Sequence, residues 1–471
     1  MKIKFKMKNL QLVIVAAVCF FAFTNKAFGQ FSGGDGSENN PYIITTAEQL
    51  AQLATFVNNG NETYNDKCYK LGNDISLSAY QSGAGWTPIG TGNDGFYGSF
   101  DGNGKKITGL YINAPDLDNV GLFRYVTGGA TIKNLGLENV NITAREHVGC
   151  ITAGLYNNST ITNCYVTGNI VGTYGASGIV STVNTTCNIS YCYSACNIKG
   201  NTYVGGIVGN IYGGSKVTNC YTTGDISGTY RVGGVVAAAY GYATIKNCYC
   251  IGQVIGDEQV GGIAGAVYDS GSLSYCVALN PSVKATTYYV GRVVGKKDGS
   301  LSSNAAWNGI LNNEGNTFWD HIGADQLDGE NMTLQQILAD GTLGGRFTST
   351  NGWTIQNGKL PGLFGQAVDM PAHLGGVGIE TITNDELRIT VFPNPTSGEL
   401  IINNEQLIIN NVEIYDVMGR KAPLNPPEGG RLPSFGGVGG GFDISHLPSG
   451  IYFLRIQTEN GKMITKKVVK N

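Results

Sequence analysis

Charge is scarce in this 471-residue chain: Asp, Glu, Lys and Arg make up 14% of it, against about a quarter in ordinary soluble domains. Nothing in it resembles a basic stripe, and phosphate recognition needs one, so nucleic acid is not an expected partner. Histidine is nearly missing, with only His147, His321, His373 and His446. None of them stands in a His-Glu-x-x-His spacing, so a peptidase zinc site is absent, and no cofactor is expected. Beyond the first residues no apolar run is long enough to cross a bilayer. Low charge combined with 42% hydrophobic residues also argues against disorder, which needs the reverse composition. Glycine is the opposite case. Its 70 residues weigh against a helix bundle, since each costs about 1 kcal/mol in a helix relative to Ala. Composition points to a turn-dense, all-β protein.

Residues 1–29 carry Lys2, Lys4, Lys6, Lys8 and Lys26 with no acid, an apolar run from Leu10 to Phe23, and a small-x-small pattern at Ala27-Phe28-Gly29. That is the form of a secretory signal peptide. Cys19 sits in the middle of the run, which disfavours a lipoprotein signal. Without the five leader lysines, the 31 basic residues no longer approach the 34 acidic ones, and the mature chain stands near −8.

Self-comparison uncovers a 28-residue period. Cys164, Cys192, Cys220, Cys248 and Cys276 are each 28 apart, and Val148-Gly149, Ala176-Ser177, Val204-Gly205, Val232-Gly233 and Val260-Gly261 keep the same step. Ile151, Ile179, Ile207, Val235 and Ile263 form one apolar column. Ile161, Ile189, Val217, Ile245 and Leu273 form a second, and Ile170, Ile198, Ile226 and Val254 a third. Three short β-branched segments per unit, punctuated by Gly and polar residues, suit one coil of a three-faced β-solenoid. Such a coil buries its inner face only against its neighbours. Parity demands a bend between the Ile161 and Cys164 columns, at Asn163, Tyr191, Asn219, Asn247 and Tyr275; Asn tolerates the left-handed backbone such a bend uses. The Cys column could form disulfides in an exported protein, but an odd number of cysteines all facing one way reads better as a ladder of buried thiols. Cys68, Cys150, Cys187, Cys196 and Cys250 could pair in ways the sequence leaves open. Helices opening at Thr45 or Thr46 and at Thr333, the latter in capping-box form, would close the two ends.

The repeats resemble the GLUG-repeat proteins, most fully at Val204-Gly205-Gly206-Ile207-Val208-Gly209 and Val260-Gly261-Gly262-Ile263-Ala264-Gly265. That resemblance implies a surface-exposed right-handed parallel β-helix, often adhesin-like, and fixes no ligand. The C-terminus is similar to the type A sorting domain of the type IX secretion system, with Pro393, Asn394, Pro395 and Gly398 in its first motif. Gly419, then Gly450 and Tyr452, then Lys466 and Lys467 follow in the family's order. This likeness implies a small Ig-like β-sandwich, recognition by the type IX machinery, passage across the outer membrane, and a cell-surface or extracellular location. The departure is Ala422–Gly441, longer than the family's usual link. The expected organisation is a signal peptide at 1–29, an N-terminal cap with irregular coils at 30–119, and GLUG-type repeats at 120–303. A C-terminal cap at 304–365, a linker at 366–384 and the sorting domain at 385–471 follow.

Two functions remain in view. The first is a non-enzymatic, adhesin-like or structural binding module whose partner is a glycan or a surface protein. Its candidate residues are two tyrosine columns, Tyr165, Tyr193, Tyr221 and Tyr249, and Tyr156, Tyr212, Tyr240 and Tyr268. If exposed they could stack on sugars, and otherwise they hold neighbouring coils in register. The second is a carbohydrate-active β-helix, a polysaccharide lyase or hydrolase. Its natural acids, Glu146 and Glu258, share a column but stand four units apart, about 19 Å at the spacing of parallel strands. That is too far for a two-carboxylate mechanism, and no catalytic residue is assigned.

Overall fold

A computed structural model describes residues 30–92, 94–375, 389–392, 396, 399–404, 409–417, 419–423, 440–458 and 463–471. The expected signal peptide lies outside the described residues, as do 376–384 of the expected linker and Pro393, Asn394, Pro395 and Gly398. The chain divides into two compact units, Met1–Asp369 and Met370–Asn471.

The first unit is a parallel β-solenoid of about ten turns. One face is a 10-stranded sheet running from Tyr42–Ile44 to Ser300–Ser302, and a second is a 7-stranded sheet from Phe123–Val126 to Val294–Lys297. A third face completes each coil. The register follows the sequence period: Ile161 pairs with Ile189, Ile189 with Val217, Val217 with Ile245 and Ile245 with Leu273. All three apolar columns point inward, with exposures of 0 or 1%, and each such side chain contributes about 1.5–3 kcal/mol by leaving water.

The bend expected after the Ile161 column is present, and every residue in it is left-handed. Asn134, Asn163, Tyr191, Asn219, Asn247, Tyr275 and Ser303 have φ between 51° and 56°. The cysteine that follows has a mechanical role there. Cys164, Cys192, Cys220 and Cys248 each direct their thiol at the carbonyl two residues back, at 3.2 Å, and Cys276 does so at 3.3 Å. The thiol thus meets a carbonyl that turns inward at the bend, while its bulk fills the apolar wall. Every described cysteine is a free thiol, and burial pushes the pKa values of Cys164, Cys220 and Cys276 up.

Where one coil lies on the next, the second glycine of Val-Gly-Gly is required by space. A Cβ at Gly206, Gly234 or Gly262 would come within 2.2 Å of the carbonyl oxygen of the following coil. The column ends with Arg292, which is buried and donates from its Nη atoms to the Trp307 and Gly329 carbonyls. Desolvation lowers its pKa to about 10. At one end of the stack, helix Ala47–Asn58, capped by Thr46, buries Leu50, Leu53, Ala54 and Val57. At the other, helix Leu334–Leu338 begins with the expected capping box between Thr333 and Gln336. The stretch expected to open the linker is still paired, since Val368 bridges Leu360.

The second unit holds a 3-stranded and a 4-stranded antiparallel sheet. Val412, Ile414, Ile444, Leu447, Tyr452, Leu454, Ile456 and Val468 form its core. Gly419, at φ 75°, turns the chain between Ile409–Asp416 and Lys421–Ala422. Gly450 opens the strand Gly450–Thr458, and the Tyr452 hydroxyl donates to the Pro448 carbonyl at 2.8 Å. Lys466 and Lys467 lie on Met463–Lys470, opposite Leu454 and Phe453.

Candidate functional site

The two tyrosine columns share one internal geometry and differ in what covers them. Tyr165, Tyr193, Tyr221 and Tyr249 stack at centroid spacings of 5.1, 4.8 and 5.0 Å with planes 3–13° apart. The end of the first unit folds back over them. Phe364 lies 6.1 Å from Tyr165 and 5.8 Å from Tyr193, and Trp353 lies 6.2 Å from Tyr221 and 5.9 Å from Tyr249. Phe347 meets Tyr249 edge-on at 5.5 Å, and the Tyr249 hydroxyl donates to the Pro361 carbonyl at 2.5 Å. Tyr221 and Tyr249 are consequently buried.

In the second column Tyr212, Tyr240 and Tyr268 stack at 4.8 and 5.2 Å, while Asn184 takes the coil between Tyr156 and Tyr212. Tyr156 instead packs 6.0 Å from Tyr125. All four are half-buried, and desolvation pushes Tyr156 and Tyr212 up to about 12. Because the ring faces meet one another, the ladder offers ring edges and hydroxyls outward rather than stacking platforms.

This second ladder runs beside another left-handed corner, one residue ahead of each Val-Gly pair. Asn119, His147, Tyr203, Arg231, Gln259 and Tyr289 all have φ between 54° and 61°, and Gly175 has 68°. Bulky residues in this region cost about 1–3 kcal/mol each. At its centre Arg231 donates from Nε to Gln259 Oε1 at 3.1 Å and from Nη1 to the hydroxyls of Tyr203 and Tyr240. Its guanidinium lies 4.6–5.8 Å from the ring centres of Tyr203, Tyr230, Tyr240 and Tyr268. Tyr268 donates to Gln259 Oε1 at 2.5 Å. Lys296 lies 5.7 Å from the Tyr268 ring and 4.8 Å from that of Tyr289. Sequence reasoning missed Arg231, Tyr203, Gln259 and Lys296. The available signal was that large, chemically unlike side chains fill one column just ahead of an otherwise regular Val-Gly step.

The acids are dispersed. Glu146 pairs in register with Tyr174 and Asp118, and Glu258 with Tyr230 and Tyr288, so the two glutamates do not meet. Asp118 and Glu146 are register neighbours, which the repeat alone did not reveal. Asp118 is gripped by Arg145 through Nε at 2.7 Å and Nη2 at 2.5 Å, which holds its carboxyl below the usual range. A carboxylate so held is a poor proton donor. His147 meets Thr182 Oγ1 at 3.3 Å, and burial pushes its pKa down. Among the described residues, no group of three or more His, Cys, Asp or Glu could hold a metal ion, and no helix is long and apolar enough to cross a membrane.

Comparison with known proteins fits these two units. Residues 390–471 match the secretion system C-terminal sorting domain, and residues 200–227 match the GLUG motif. The chain thus carries a GLUG motif in its solenoid and a sorting domain at its C-terminal end. That domain marks it for export by type IX secretion to the cell surface or the extracellular space. A Gly-rich membrane protein of Evansella cellulosilytica is 37% identical over 131 residues, which is 27% of this chain and 14% of that protein. Halomucin of Haloquadratum walsbyi is 33% identical over 158 residues, 32% of this chain and 2% of its own. The chain thus spans only a small part of the curated relatives it matches.

Proposed function

We propose that the exported chain is a non-enzymatic, adhesin-like binding module in which the solenoid is a rigid rod and its second left-handed corner is the contact surface. The observation that carries this reading is a ridge in which Tyr203, Arg231 and Tyr289 hold left-handed backbone and Arg231 gathers the side chains of Tyr203, Tyr240 and Tyr268. Residues retained in strained backbone cluster at binding surfaces. The covered column, Tyr165 to Tyr249, serves coil registration in this reading, and Tyr156, Tyr212, Tyr240 and Tyr268 line the contact side. Screening the purified mature chain against glycans and matrix proteins tests the proposal. Binding to at least one class, weakened by Tyr240→Ala, is the expected result, and silence across both removes the adhesin reading.

A carbohydrate-active enzyme is the second reading, favoured by the register contact between Asp118 and Glu146. It requires release of reducing ends from a polysaccharide panel and loss of that release in Glu146→Gln. We expect no release.

A further inference from the structure

We propose that Arg231 and Lys296 form an anion subsite on this ridge that takes the carboxylate or sulfate groups of an acidic polysaccharide lying along the solenoid axis. The inference rests on the surface-binding reading above and adds the ligand's chemical class. A guanidinium carries five N–H donors. Gln259 Oε1 and the Tyr203 and Tyr240 hydroxyls use the three on Nε and Nη1. The Tyr268 hydroxyl also interacts with the guanidinium.

All four of these partners are neutral oxygens. Among the described residues neither Arg231 nor Lys296 makes an ion pair. A half-buried cation without a counter-ion is costly in a folded protein, and here the chain as a whole is acidic. The two cations flank one ring, that of Tyr268, at 5.0 and 5.7 Å. Glu258, beside the cluster, is turned toward Gln259 Nε2 at 3.2 Å. Arg231 itself is locked in place by its tyrosine and glutamine partners, so little side-chain freedom remains to be lost on binding. The tyrosine edges and hydroxyls of Tyr212, Tyr240 and Tyr268 recur at 4.8 and 5.2 Å along the axis. A linear, periodic, charged polymer matches a linear, periodic ridge better than an irregular acidic polypeptide does.

Calorimetry on the mature chain tests this with polygalacturonate, dextran sulfate, neutral dextran and poly-glutamate. Binding to polygalacturonate or dextran sulfate is expected, and which of the two binds identifies carboxylate or sulfate. The affinity should fall with added salt and weaken about tenfold in Arg231→Gln. It should tighten about twofold in Glu258→Gln, a gain no purely structural role would give. If Arg231→Gln does not fold, Lys296→Gln decides, because Lys296 is only half-buried; a weakened affinity supports the subsite and an unchanged one overturns it. Binding unaffected in a folded Arg231→Gln overturns the inference, as does poly-glutamate binding as tightly as the acidic polysaccharides. Dextran binding that ignores Arg231 overturns the charge subsite yet leaves the binding-module reading standing. Silence toward these four polymers together with binding to a matrix protein does the same, whereas silence toward glycans and proteins alike ends both.

Discussion

Each coil of the solenoid passes through left-handed backbone at several bends, and two of them, the Asn163 and Arg231 columns, differ in their residue mix. At the first, four of seven positions are Asn, and Asn163 Nδ2 reaches Asn134 Oδ1 at 3.3 Å while Asn247 Nδ2 reaches Asn219 Oδ1 at 3.4 Å. At Asn219 this corner is also covered, since the Trp353 indole donates to Asn219 Oδ1 at 3.3 Å. The second corner places His147, Tyr203, Arg231, Gln259 and Tyr289 in the same kind of conformation without that benefit. The backbone path imposes the angle in both places, so the residue choice reports what else each corner must do. One corner largely satisfies itself, and the other is where we place the contact surface.

The largest test of that contrast is Trp353→Ala. Trp353 is 3% exposed and joins the first corner to Tyr221 and Tyr249, so its loss should cost about 3–5 kcal/mol in urea unfolding. An effect below about 1 kcal/mol would mean that Trp353 does not hold the first corner at Asn219 as described. Next comes a pair of substitutions. Asn219→Val puts a β-branched residue at φ 53° and should cost about 2 kcal/mol. Tyr289→Gly relieves φ 61° at an exposed side chain and should be neutral or stabilising by up to about 1 kcal/mol. Equal and opposite results would reverse the assignment of the two corners.

The smallest effect concerns His147. Burial lowers its folded pKa below the ordinary imidazole value of 6.5, against the opposing influence of Glu146 and Asp118. The unfolded chain therefore binds the proton more tightly, and this contribution to stability is present above pH 6.5 and lost as the pH falls below it. His147→Asn, which copies Asn119 in the neighbouring coil, should remove that part of the pH dependence, worth below about 1 kcal/mol. A thermal-melt series over pH checks it, and an unchanged slope in the variant would reject the assignment.

Much of the first corner was legible in the sequence. The 28-residue step, the inner Ile columns and the Asn-rich bend follow from periodicity and parity alone, and even Tyr191 and Tyr275 take the left-handed backbone their column predicts, at φ 52° and 55°. The second corner was not legible, because Asn, His, Gly, Tyr, Arg and Gln share no intrinsic preference that would mark a bend. There the coil path overrides local propensity. Nor could the repeat reveal that Phe347, Trp353 and Phe364 cover the Tyr165 column, since those residues lie outside the period; the Tyr249–Pro361 hydrogen bond spans 112 positions. For the C-terminal unit, ordered motifs identified the sorting domain, although Pro393, Asn394, Pro395 and Gly398 lie outside the described residues.

The strap over the Tyr165 column has a bearing on timing. Chains emerge from the ribosome amino end first, so every turn up to Val254 is made before the clasp that bolts Tyr221 and Tyr249 down. A growing molecule can pile up its turns as they arrive, but it stays unlatched along that side until Phe347, Trp353 and Pro361 have been added.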